Sequence, residues 1–191
     1  MHNLTPFSGS HRFGLLCVKL RDIHMFLELD LEKIKRLAER NEENNWRFRA
    51  FLKFGDERKI DRIVNSLYHE VSEEIDCTQC GNCCRELRPL LSKKDVKLLA
   101  NFINMPEGKF QEHYTEFNHD ENKIRLKETP CFFLKDNKCA VYECRPSDCR
   151  SFPHLHKKGF TTRLITVLQN YSICPIVFNV YEQLKSEMRF R

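Results

Sequence analysis

The sequence predicts a mainly α-helical protein with a small irregular β and loop region, organised around a cysteine-ligated metal site. Three observations carry this. Apolar residues recur at helical spacing at 31–38, 60–71, 96–103 and 176–188. Patterns that read as strand rather than helix are short pieces between 123 and 142. The stretch CTQCGNCC, Cys77–Cys84, places four thiols within eight residues.

Residues 1–24 contain Pro6, Gly9 and Gly14 and show no clear periodicity, so they read as a loose extension. Met25, followed by an ordinary helical pattern, is a candidate start. Cys17 stands far from the other thiols and is not expected to be a ligand. Asp30 is placed to cap a helix through Leu31, Ile34, Leu37 and Ala38. Trp46, Phe48, Phe51 and Phe54 follow, with Gly55 ending the run, and read as core packing. Ile60, Ile63, Val64, Leu67, Tyr68 and Val71 form the stripe of a second helix that leads directly into Cys77. His69, just off that stripe, reads as a half-exposed helix residue rather than a ligand. These helices, 25–76, are expected to pack on a metal-binding domain of residues 77–191.

Beyond the first cluster, Ser92 and Asp95 form a capping-box pattern, with Val96, Leu99, Ala100 and Ile103 as the buried face. Pro106 opens a short helix through Phe110 and Tyr114. KIRLK at 123–127 alternates as a strand does. CFFLKDNKCAVY reads as a hairpin turning at Asp136, Asn137 and Lys138, with Cys131 and Cys139 at matched places. Cys149 falls between Pro146 and Pro153, in what reads as a stiff non-helical turn. RLITVL at 163–168 suits either strand or helix. The last helix starts at Pro175, a favoured first helical residue, and carries Ile176, Val177, Val180, Tyr181, Leu184 and Met188 as its stripe.

A hydrophobic core has no use for the 77–84 spacing, and a disulfide between such close cysteines meets poor geometry. Metal chelation explains it. C-x2-C directs two sulfurs at one ion, and Gly81 lets the chain turn tightly between the pairs. Cys174 would sit at a helix N-terminus, where the dipole and free N–H groups favour a thiolate. Cys144 is the least expected ligand. His154 and His156 are candidate nitrogen ligands but read better as loop histidines of a basic segment.

Composition narrows the function. The first twenty residues have no secretory pattern, and no apolar run approaches a membrane span, so no membrane association is expected. The expected location is the cytoplasm, where ten cysteines stay reduced and bind metal or react. Eight thiolates around two divalent ions would leave about +1 of the formal +5 charge. Basic residues also alternate with acidic ones, so nucleic-acid binding is not expected. The sequence has no G-x-S-x-G, P-loop, H-E-x-x-H or dinucleotide fingerprint. Any chemistry would come from the metal centre.

The runs CTQCGNCCR, PCFFLKDNKCAVYECRPSDCRSFP and the later Cys174–Pro175 resemble, in that order, the CxxCxxCC cysteine-cluster family (YkgJ-type), described as zinc- or iron-chelating. The likeness spans roughly residues 72–190. It implies Cys77, Cys80, Cys83, Cys84, Cys131, Cys139, Cys149 and Cys174 as metal ligands. Cys144 holds a position that the pattern does not require to be cysteine. Arg145, Pro146 and Arg150 also match, with a structural and electrostatic role implied. One related group is similar to flagellin lysine N-methylases, which keeps an enzymatic alternative open.

Eight thiolates suit two zinc sites or an iron–sulfur cluster. Side chains of adjacent Cys83 and Cys84 diverge, so the pair would reach two centres or two corners of one cluster. C-x2-C-x2-C with a distant Cys-Pro resembles the ligand run of bacterial ferredoxins. The reading leans towards an iron–sulfur centre with a redox or metal-handling role, assisting a protein-modification reaction. A structural zinc module that binds another protein is the alternative. The partner or substrate, expected to be a protein, is not named by the sequence.

Overall fold

The computed structural model describes residues 27–191. The expectations for residues 1–24, Met25 and Cys17 therefore lie outside the described residues. Within 27–191 the chain is mostly helical, with two small antiparallel sheets. No helix of the described residues is long and apolar enough to cross a membrane.

The N-terminal helices form as the apolar spacing requires. Asp30 accepts from the Glu32 and Lys33 N–H groups at 2.9 and 3.1 Å and starts α1 (Leu31–Arg40). Asn41 separates it from α2 (Glu42–Lys53). The expected aromatic core in this stretch is corrected. Phe48 is buried, but Trp46, Phe51 and Phe54 are 46, 43 and 94% exposed. Only the Asn45–Phe48–Leu52 face of α2 is covered, and Phe54 lies past the helix end. Asp56 caps α3 (Glu57–Glu74), whose Ile60, Val64, Leu67 and Val71 are buried.

These helices share one core with α9 (Leu164–Tyr171) and α10 (Pro175–Glu187). RLITVL thus resolves as helix, because Leu164, Val167 and Tyr171 fall on one buried face. Helix α10 is buried on nearly every side, as a helix enclosed by others must be.

A second core gathers Leu91, Val96, Leu99, Phe110, Leu126, Phe133 and Val141. It packs α6 (Lys93–Phe102) and α7 (Glu107–Tyr114) against a sheet of order β1-β3-β2 (Leu90–Leu91, Lys123–Leu126, Thr115–Asn118). The capping box is present, with Ser92 and Asp95 bonding reciprocally. Strand β2 pairs with β3 along its length. Its sequence, TEFN, has no buried face to announce it.

The hairpin is shorter than expected. β4 (Leu134–Lys135) pairs with β5 (Lys138–Cys139), and Asp136–Asn137 form the turn with positive φ at both residues. Cys139 faces Leu134, not Cys131. Cys131 instead precedes the hairpin in a turn whose carbonyl accepts from the Leu134 N–H at 2.9 Å. The turn expected at Cys149 is also corrected, because α8 (Ser147–Ser151) carries that residue. Pro146 sits at the N-cap and Pro153 lies beyond the end, so both prolines are compatible with one helical turn.

Candidate metal centre

The cysteines occupy the seam between the two cores. Cys174 belongs to the first, while Cys131, Cys139 and Cys144 pack against the second. Helix α3 ends at Ile75, and Asp76 starts the single turn α4 (Cys77–Cys80). Its carboxylate accepts from the Thr78 N–H, the Thr78 hydroxyl and the Gln79 amide at 2.8, 2.6 and 2.9 Å. Those bonds hold the Asp76 carboxyl below the usual carboxylate range. Gly81 then reverses the chain at φ +62 into α5 (Asn82–Glu86), which carries Cys83 and Cys84.

Two side chains lock this turn in place. The Asn82 amide donates to the Ile173 carbonyl at 2.7 Å, beside Cys174. The Asn137 amide donates to the Gln79 carbonyl at 2.5 Å, and its carbonyl oxygen accepts from Arg85. The turn at Asn137 presses so close that a Cβ on Gly81 would lie 2.7 Å from the Asn137 Oδ1. On the other side, the Cys131 N–H donates to the Cys84 carbonyl at 2.7 Å.

Cys149 is positioned by two carboxylates. Asp95, buried at α6, accepts from the Ser147 N–H at 3.0 Å and the Ser147 hydroxyl at 2.9 Å. Asp148 accepts from the Leu90 N–H at 3.1 Å and lies 3.3 Å from His154. Burial raises the Asp95 carboxyl, but the bonds from Ser92 and Ser147 outweigh it and leave the pKa below its ordinary value. Asp148 is likewise lowered against burial, chiefly by His154 and the Leu90 N–H.

All eight sequence-predicted cysteines, Cys77, Cys80, Cys83, Cys84, Cys131, Cys139, Cys149 and Cys174, line one cavity of about 920 Å³. Cys144 is not among its lining residues. Cys77 is exposed, Cys174 is buried and the rest are half-buried. Among the described residues, however, no three His, Cys, Asp or Glu side chains stand ready to hold a metal ion. The thiols surround a space without closing on a point.

Burial raises the Cys77, Cys139, Cys131 and Cys149 thiols, up to about 11 for Cys131 and further for Cys149. Cys174 departs from its sequence-based reading. It occupies the N-cap position of α10 as expected, but burial outweighs the Val177 and Ile176 N–H groups and pushes it up to about 12. The interaction between the adjacent thiols raises Cys83 and lowers Cys84. Arg85 draws Cys84 down further, and Arg145 acts the same way on Cys77 and Cys139.

His154 bonds Ser151 at 2.9 Å through Nδ1 and faces Asp148 through Nε2, so its ring already has partners. His156 packs near Tyr68, and His69 is exposed. The donor set facing the cavity is dominated by sulfur, which suits zinc or iron–sulfur centres and not magnesium or calcium.

The chain matches the CxxCxxCC family, described as a "Putative zinc- or iron-chelating domain", over residues 76–173, just over half its length.

The chain belongs to the CxxCxxCC family.

This CxxCxxCC member is also similar to an uncharacterized protein of Methanocaldococcus jannaschii, 31% identical over 100 residues. That match covers 50% of each chain, so the chain spans about half the length of this curated relative. No solved structure matches. Asn82, Asn137, Asp95 and Asp148 escaped the sequence reading as site residues. The Asp95 capping box was visible, but nothing local signals that its carboxylate also reaches Ser147.

Proposed function

We propose that this protein binds metal through the eight cysteines lining the cavity and carries an iron–sulfur centre there. Its role is redox or metal handling, assisting a protein-modification reaction. One observation carries the reading: eight thiols from distant stretches face a single cavity. The family description supports metal binding in general.

The cavity's size supports a working site over a purely structural one. Structural zinc sites are closed by their four ligands. At about 920 Å³ this space falls within the range of ligand pockets and leaves room beside the sulfurs for another molecule. A bound iron–sulfur centre would supply one-electron transfer. The chain supplies thiolate donors, and Arg85 and Arg145 offset their charge. Asn82, Asn137 and Asp95 fix the segments that carry the donors.

A structural zinc module is favoured by a different observation. Between Cys131 and Cys149 the regular elements are only two to five residues long, which suits a region held by metal. Iron and acid-labile sulfide analysis of anaerobically purified protein separates the two readings. Brown protein with matching iron and sulfide, bleached by dithionite, is expected. Colourless protein with tightly held zinc and no sulfide would establish the structural reading instead.

A further inference from the structure

The thiols make only part of the cavity wall. Another part is uncharged and comes from two helices of the first core. Thr166, Gln169 and Asn170 of α9 line the cavity, followed by Ile173 just past the helix end. Positions 166, 170 and 173 recur at helical spacing and share one face, while Leu164, Val167 and Tyr171 turn into the core. Tyr68 and Ser72, four apart on α3, line the same space.

Asn170 stands out on this wall. It is only 7% exposed, yet among the described residues its side-chain amide has no hydrogen-bond partner. Its backbone carbonyl is occupied, accepting from the Ile173 and Cys174 N–H groups at 3.1 and 2.9 Å. The buried side-chain atoms sealed without a partner are Asn45 Oδ1, Arg49 Nε and Gln183 Oε1. The Asn170 amide is not one of them, so it opens on the cavity. An amide held this way destabilises the free protein, and a ligand that pairs with it removes that penalty. The half-buried Tyr68 hydroxyl also lacks a partner among the described residues. Ser72 donates to the His69 carbonyl at 3.2 Å and can still accept.

These groups select a ligand by what they offer. The Asn170 amide presents donors and an acceptor together. A carboxylate would meet the donors alone, and the exposed Glu73, Glu74 and Asp76 of the lining would repel it. The arginines of the lining, Arg88, Arg145 and Arg150, come instead from the segments beside β1 and α8. A cation would meet the acceptor alone. In an extended chain the N–H and C=O of one residue point to the same side, and together they match the amide. Thr166 and Gln169 are exposed, so this face runs out to solvent and a chain can enter along it.

We propose that this wall is a peptide-binding subsite: Asn170 pairs with the backbone N–H and C=O of one residue of an extended protein segment, and the Tyr68 hydroxyl bonds the same segment. This rests on the metal centre proposed above and names its substrate class. Because the Cys174 N–H bonds the Asn170 carbonyl, a residue held there lies beside the cysteine donors.

The test uses the full chain as purified, with its metal, titrated calorimetrically with N-acetyl-trialanine N-methylamide. The wild type should bind this peptide. Asn170→Leu, similar in size but without hydrogen-bonding atoms, should weaken binding at least about tenfold and keep its metal. No internal bond is lost, so its thermal midpoint without peptide should stay level or rise. Tyr68→Phe should weaken binding severalfold at an unchanged midpoint. No binding by the wild type, or unchanged affinity in either variant, would overturn the subsite. A lowered midpoint or lost metal in Asn170→Leu would show that the amide serves the fold, and would overturn it too. Propionamide or acetate binding as tightly as the peptide would replace it with a lone carboxamide or an anion. Metal analysis of the same samples separates the failures. Metal-bearing protein that ignores the peptide loses this subsite alone, whereas protein that never takes up metal loses the centre and the substrate role with it.

Discussion

At Gly81 a single methyl group meets two obstacles. The backbone has φ +62, a conformation costing roughly 1–2 kcal/mol for a residue with a Cβ. The added carbon would also lie 2.7 Å from Asn137 Oδ1. Gly81→Ala should therefore destabilise the protein by at least about 1–2 kcal/mol and reduce its metal content. Urea unfolding and metal analysis check this, and an unchanged midpoint would show that the hairpin turn is not pressed on Gly81. Cys144 offers the complementary case, since it lies outside the cavity lining. Cys144→Ser should leave metal content nearly unchanged, whereas Cys80→Ser and Cys149→Ser should lower it sharply. Equal loss in all three would mean that the ligand set is misassigned. Spacing made the 77–84 thiols legible, and the family resemblance supplied the full set of eight that lines the cavity. Asn82 and Asn137 were not legible, because their partners lie 91 and 58 residues away in the chain.

Among the elements, α8 depends most on a distant partner. Its first residue, Ser147, is held by Asp95, which simultaneously caps α6. Asp95→Ala removes the capping box and leaves the Ser147 N–H without its acceptor. The expected cost is about 1–3 kcal/mol at neutral pH, with weaker metal retention at Cys149. The folded pKa of Asp95 lies below its ordinary 3.8, so its contribution is present above that value and lost as pH falls below it. Wild type and variant should accordingly differ in urea midpoint at pH 7 and converge at acid pH. A constant difference would remove Asp95 ionisation from the account. Long apolar stripes made α3, α6 and α10 legible. α8 was hidden because two flanking prolines imitate a turn, and β2 because its four residues have no buried face.

For the whole molecule, the two cores differ in their need for metal. Helices α1 to α3 pack on α9 and α10 in a continuous apolar core. The segment from the sheet to α8 has short elements and a smaller core. Metal at a four-thiolate site contributes roughly 10–16 kcal/mol, comparable with the roughly 5–15 kcal/mol stability of a whole domain. Apo protein under reducing conditions should lose order in the cysteine-bearing region and keep much of its helical circular-dichroism signal. Limited proteolysis should cut it early between Glu116 and Lys158. Equal resistance of apo and holo protein there would mean that metal does not hold this region. The helical class of the fold was readable from periodicity. The sharing of one core by the first and last helices was not, since no local pattern records which distant stripes meet.

In the proposed site, cysteine sulfur from the cavity walls holds the metal. X-ray absorption at the metal edge of the purified protein measures that first shell directly. A shell of sulfur alone is expected, at about 2.3 Å if the metal is zinc. A shell containing nitrogen or oxygen near about 2.0–2.1 Å, or protein without metal, would contradict it.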